Sequence, residues 1–235
     1  MKNLLKLSAM GIMLFASTTS VFAQENKSFP VKGFNSISVS SGIDLYLTQG
    51  GSESVNIKAE SEILKEIEVE QSGGNLSIRM KSGINWGSMF KNRVIKAYVN
   101  YKTLAALSAS GGSDVFTQNT IKTDKFSIHA SGGSDLKLDL VCTDLELSTS
   151  GGSDLDLKGK ADNMILKASG GSDIDAYELI TQYAKASVSG GSDVNINVSK
   201  ALEASASGGG DIHFKGDAAL KKTSSSKSGD VTRVK

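Results

Sequence analysis

Seven aspartates recur along this chain at a near-constant interval: Asp114, Asp135, Asp154, Asp173, Asp193, Asp211 and Asp230. The first five close an identical pentapeptide, Ser-Gly-Gly-Ser-Asp, which starts at Ser110, Ser131, Ser150, Ser169 and Ser189. Ser207–Asp211 is a near copy, and Ser228–Asp230 is a trimmed one. A row of carboxylates suggests three kinds of chemistry. It can ligate calcium through oxygen, do acid–base work in pairs, or bond backbone amides at a bend. Calcium-binding β-helix repeats need a nonapeptide period. Here the gaps between aspartates are 21, 19, 19, 20, 18 and 19 residues. A calcium site also needs several carboxylates to converge, whereas a ladder supplies about one per lap. The row is therefore read first as a structural turn ladder, with no metal or cofactor expected.

Four further residues are candidates for ligand contact. Asp156 and Asp175 fall at matching positions two residues after successive motifs, with Lys137 one lap earlier as a basic neighbour. Paired carboxylates of this kind serve polysaccharide-cleaving enzymes. Trp86, the only tryptophan, stands near Phe90 in the segment Ser82–Asn92. Such aromatic groups stack on sugars, or cover the open end of a core. His129 and His213 lie laps apart, and metal ligands must converge. Cys142 is the only cysteine, so no internal disulfide forms, and it is read as a small buried apolar residue. No Ser–His–Asp set and no phosphate loop is evident.

The elements that hold these residues are read from alternation. Before each motif, one apolar column reads Leu107, Ile128, Leu147, Leu166, Ala186 and Ala204. Two residues on, a column of mostly small residues reads Ala109, Ala130, Thr149, Ala168, Val188 and Ala206. After the motif come Val115, Leu136, Leu155, Ile174, Val194 and Ile212, then Leu138, Leu157, Ala176, Ile196 and Phe214. Period-2 alternation on both sides of a Gly-Gly bend means strand, corner, strand. A repeat near 20 residues that buries its apolar edge only against its neighbours is a solenoid. The fold expected is all-β: a parallel β-helix with two clear strands and a looser return, such as Lys158–Asn163, in each lap. At about 4.8 Å per lap, the interval from Asp114 to Asp230 spans about 29 Å. Two glycines permit positive φ at the corner, and Ser and Asp can bond the backbone amides there. Among outward residues, Lys137 should meet Asp156, and Asp139 should meet Lys158. The second outward column should read Asp139, Lys158, Tyr177, Asn197, Lys215.

Residues 31–104 are strand-like but lack the strict motif. Asn35–Gln49 alternates around Ser-Ser-Gly-Ile-Asp, which looks like a decayed copy of the pentapeptide. Gly-rich turns at Thr48–Glu53 and Gln71–Asn75 suggest antiparallel hairpins. The order of these segments, FNSISVSSGIDLYLTQG, then LKEIEVEQSGGNLSIRM, then YKTLAALSASGGSDV and its repeats, resembles the putative auto-transporter adhesin, head GIN domain family. This is a group without assigned function, common in exported Bacteroidetes proteins, and the resemblance covers about residues 31–230. It implies a β-helix-like fold, an envelope or extracellular location and, weakly, adhesion. It carries over no catalytic residue.

Residues 1–23 read as an export signal: Lys2 and Lys6, an apolar run from Leu4 to Phe15, and small residues before Gln24. That run is too short to span a bilayer, and no integral membrane segment is expected in the mature chain. Residues 24–30 form a short lead-in, 31–230 the solenoid (31–104 irregular, 105–230 repeats) and 231–235 a basic tail. Losing the signal removes two of 26 basic residues and none of 25 acidic ones, so no basic surplus remains to support a nucleic-acid partner. The expectation is an exported, non-catalytic module in the periplasm, at the outer membrane or outside the cell. It would contact a surface glycan or an envelope protein. The alternatives are a carbohydrate-active β-helix enzyme and a calcium-stabilised rod.

Overall fold

The computed structural model describes residues 24–83, 94–223 and 228–235. Its first strands are β1 (Gln24–Phe29), β2 (Ser36–Val39), β3 (Ile43–Gln49) and β4 (Ser54–Glu60), followed by one helical turn, α1 (Ser61–Leu64). Then come β5 (Ile67–Ser72), β6 (Asn75–Met80), β7 (Ile95–Tyr101), β8 (Ala106–Ala109), β9 (Val115–Thr117), β10 (Ile121–Lys122) and β11 (Lys125–Ser131). The long strands of the repeats are β12 (Asp135–Ser150), β13 (Asp154–Ala168), β14 (Asp173–Val188) and β15 (Asp193–Ala206). The last are β16 (Asp211–Lys215), β17 (Ala219–Lys222) and β18 (Val231–Arg233).

The chain is a parallel β-solenoid of about seven laps. Each residue sits beside its counterpart one lap on: Leu136 beside Leu155, Leu155 beside Ile174, Ile174 beside Val194, Val194 beside Ile212. All four expected apolar columns are buried. Because only neighbouring laps touch, each column is a stack of like side chains, and its burial holds one lap to the next.

The return differs from expectation. Lys158–Asn163 is not loose, because Lys158–Ala161 and Asn163 pair in register with Asp139–Cys142 and Asp144 of the previous lap. In-register stacking pairs backbone N–H and C=O groups through most of the return, which holds it as strand. Alternation still changes phase there: Ala161 and then Met164 are buried, three residues apart, and the lap turns between them.

Unequal lap lengths are absorbed by bulges. The register slips after Asp156, so Lys158 faces Glu178 and not Tyr177, which corrects the second outward column. The extra residue of the 20-residue lap between Asp173 and Asp193 is taken up there.

The segment Asn35–Gln49 is itself a lap. β2 lies parallel on β8, with Ile37 beside Leu107, and β3 lies parallel on β9, with Leu45 beside Val115. Its Ser40–Asp44 corner docks on Ser110–Asp114. The Gly42 amide donates to the Gly111 carbonyl at 3.0 Å, and the Ile43 amide to Ser113 Oγ at 3.1 Å. The described residues 50–83 and 94–105 lie over the outer side of this lap. There β6 is parallel to β2, β7 is parallel to β3, and β4 is antiparallel to β7. The Gln71–Asn75 turn closes the antiparallel β5–β6 hairpin as expected. The Thr48–Glu53 turn does not make a hairpin. Both edges of β3 are occupied, by β7 and by β9, so β4 pairs with β7 and β1.

Candidate functional site

At each corner the parity of the strand decides what is inside. Ser172 stands two residues before buried Ile174, so it points inward, and Asp173 between them points out. Ser113, Ser134, Ser153, Ser172 and Ser192 are all fully buried. Ser172 Oγ donates to the Ser169 carbonyl at 3.2 Å and to the Gly151 carbonyl one lap back at 3.3 Å. Ser134 and Ser153 close their own corners in the same way, at 2.8 and 3.1 Å. The first glycine carries the sharp turn: Gly170 has φ +88° and stacks directly on the Gly151 backbone.

The aspartates stand outside this turn, as an outward column in register from Asp135 through Asp154, Asp173 and Asp193 to Asp211. Two of them accept from backbone: the Asp230 amide donates to Asp211 Oδ1 at 2.9 Å, and the Asp135 amide donates to Asp114. Burial, with the nearby Asp135 and Asp44 carboxylates, holds the Asp114 carboxyl above its ordinary value against that amide bond. Asp44 therefore continues the column into the first lap. Burial raises its carboxyl too, opposed by Lys96, its register partner on β7.

A second outward column runs beside the first, two residues on. From one end it reads Tyr98, Tyr46, Phe116, Lys137, Asp156, Asp175, Asn195, His213 and Thr232. The three rings stack in series, Tyr98 on Tyr46 at 5.0 Å and Tyr46 on Phe116 at 5.3 Å between centroids. Tyr98 remains 41% exposed. Two open grooves adjoin this column. One, about 580 Å³, is walled by Asp135, Asp154, Asp173 and Asp193 on one side and by Lys137, Asp156, Asp175 and Asn195 on the other. The other, about 410 Å³, is lined by Phe116, Gln118, Asn119, Lys137, Asp139, Asp156, Lys158 and Glu178. Lys137 and Asp156 line both grooves.

The structure thus brings Asp156, Asp175 and Lys137 onto one face. Asp139 and Lys158 form the expected ion pair at 3.8 Å. Lys137 and Asp156 are register partners, but their charged groups are not within ion-pairing distance. Asp156 and Asp175 project side by side from one sheet into water. A glycosidase pair must flank its scissile bond from opposite sides, and parallel side chains on a flat face do not. Among the described residues no group of three or more His, Cys, Asp or Glu is placed to hold a metal ion.

His213 joins the second column, whereas His129 lies before the corner between Ser108 and Ser148. Cys142 is buried, and burial, then Asp144 and Asp162, push its thiol up to about 11. Arg233 covers the Phe214 ring at 5.1 Å, and Lys221 pairs with Glu203 at 3.5 Å. Trp86 and Phe90 lie outside the described residues, as does the export signal. Tyr46 and Tyr98, singled out by no motif, are the members that sequence reasoning missed. The available signal was the outward phase of Tyr46 two residues after the Asp44 corner.

A family model described as "Putative auto-transporter adhesin, head GIN domain" matches residues 33–218. Among solved structures, a putative adhesin from Bacteroides fragilis is 25% identical with a TM-score of 0.82, covering 90% of this chain and 97% of that one. A putative adhesin from Parabacteroides merdae is 21% identical with a TM-score of 0.70, covering 90% and 96%. A putative lipid binding protein from Parabacteroides distasonis is 19% identical with a TM-score of 0.70, covering 90% and 97%. No curated protein sequence matches the chain. No helix among the described residues is long and apolar enough to cross a membrane.

Proposed function

The chain belongs to the putative auto-transporter adhesin, head GIN domain family, and from that premise we propose that it is an exported, non-catalytic adhesion module of the cell envelope. One observation carries the reading. The second outward column, from Tyr98 to His213, is a long face of side chains held at lap spacing and open to solvent. A rigid face of that kind suits recognition of an extended partner, since its side chains are placed before binding and lose little freedom on contact. It does not enclose a reacting atom between converging groups, as catalysis asks. The family description and the B. fragilis likeness point the same way. The amino-terminal Lys2, Lys6 and the apolar run after them support export.

The test is adherence. Fluorescently labelled protein spanning 24–235 is offered to bacterial and host-cell surfaces and to a printed glycan array, beside an unrelated β-solenoid of similar charge. The expected result is retention on at least one surface above the control solenoid. Retention no greater than the control on every surface would refute the proposal.

A further inference from the structure

We propose that the outward column from Tyr98 to Asp156 is a binding track for a linear, uncharged polysaccharide lying along the solenoid axis, about one sugar ring per lap. The inference rests on the adhesion reading and adds the site, the ligand class and the direction in which the ligand lies.

Three features of the column lead there. The first is its aromatic end. Tyr98, Tyr46 and Phe116 form a continuous strip of rings stacked face to face, with centroids 5.0 and 5.3 Å apart, and Tyr98 at its end is 41% exposed. The exposed ring at the end of the strip offers its face to the apolar C–H flank of a sugar, and the strip carries two phenolic hydroxyls for hydrogen bonds. The second is the polar groove on the next laps of the column. This groove of about 410 Å³ beyond Phe116 is lined by Gln118, Lys137, Asp139, Asp156 and Lys158. Donors and acceptors alternate there, which fits hydroxyl groups, since each hydroxyl both donates and accepts. The third is the period. Laps stand about 4.8 Å apart, close to the length of one pyranose unit in an extended chain. A chain lying along the axis therefore places about one ring on each successive lap over a short oligosaccharide.

The charge pattern selects among polysaccharides. The column of Asp114, Asp135, Asp154 and Asp173 runs alongside the track, one step nearer the corner. It repels a uronate or sulfate polymer from the Phe116 lap onward. A peptide strand is also a poor fit. The backbone groups of the face are paired from lap to lap, so no sheet edge is offered for β-augmentation.

The experiment uses an array of linear oligosaccharides from dimers to octamers, neutral and uronate-bearing, probed with protein spanning 24–235. Wild type is compared with Tyr98→Ala and Phe116→Ala, each first shown to keep the wild-type urea midpoint. Two substitutions at different exposed rings keep the test alive if one disturbs folding. The expected result is binding to neutral chains that strengthens with length, and a loss of about tenfold in affinity for each variant. Glycan binding that both variants retain, or binding confined to uronates, overturns the track while leaving adhesion standing. Capture of a surface protein with no glycan bound does the same. Retention on nothing removes both readings.

Discussion

Replacing Gly170 by alanine should damage the solenoid, while the same change one residue later should not. Gly170 has φ +88°, and a Cβ built there would lie 2.8 Å from the Gly151 carbonyl oxygen and 2.9 Å from its amide nitrogen. Both contacts are backbone atoms of the lap beneath, so no side chain can swing aside. The left-handed conformation costs an L-residue about 1–2 kcal/mol. Forcing the laps apart adds about 1–3 kcal/mol of overpacking strain. Gly171 has no left-handed φ, and a Cβ there meets nothing within 4 Å. Alanine at that position should be neutral, or stabilising by about 0.4–1 kcal/mol through the unfolded chain. Urea unfolding followed by far-UV circular dichroism measures the difference. At about 2–3 kcal/mol/M, the Gly170→Ala midpoint should fall by about 1–2 M, with Gly171→Ala at or above wild type. Equal midpoints for the two variants would show that the corner does not rest on lap-to-lap glycine contact.

The same geometry sets three more outcomes. Ser172→Ala should lower stability by about 1 kcal/mol, because it removes the corner hydrogen bond to the Ser169 carbonyl, while the Gly151 carbonyl keeps the Gly171 amide, whereas Asp173→Asn on the exposed column should stay within about 0.5 kcal/mol by the same urea assay. Tyr101→Phe should raise stability by about 1–2 kcal/mol, since the Tyr101 hydroxyl is buried without a hydrogen-bond partner among the described residues. Asp114 is held above its ordinary 3.8 in the folded chain, so folding binds protons at that carboxyl. Its contribution is complete below about pH 3.8 and is lost as pH rises through the raised folded value. Asp114→Asn, measured in urea melts from acid to neutral pH, should flatten that decline.

The columns of the core were legible because two signals coincided. Leu136, Leu155 and Ile174 share both a period-2 phase and a lap interval, and parallel in-register pairing turns that coincidence into contact. The sequence reading did not separate Ser172 from Asp173, since both are small and polar and either can bond a bend; the structure does, burying the serine and turning the aspartate outward. The non-local pairings stayed hidden. Nothing in a linear reading places Tyr98 beside Tyr46, because that pairing requires β7, some fifty residues on and outside the repeats, to lie parallel to β3. The partner of Lys158 was hidden by a bulge: counting along the lap gives Tyr177, whereas the slipped ladder gives Glu178.

Stacking has a consequence for where a single change can alter function. A residue type repeated every lap becomes a column, and a column is redundant. Removing one carboxylate from Asp135, Asp154, Asp173 and Asp193 leaves its neighbours one strand spacing away on either side, and the field along the groove is little altered. The aromatic strip has no such reserve. Its rings come from β3 and β9 on consecutive laps and from β7 in the inserted segment, no Tyr or Phe continues the column beyond Phe116, and each ring is stacked on the next. Loss of Tyr46 would leave the other two separated by two strand spacings and out of contact. The repeats supply rigidity and length, and the inserted segment breaks the uniformity of the face they present. On the proposed track, a single change should therefore weigh most at the aromatic end, where Tyr98 of the inserted segment stacks on Tyr46 of the first lap.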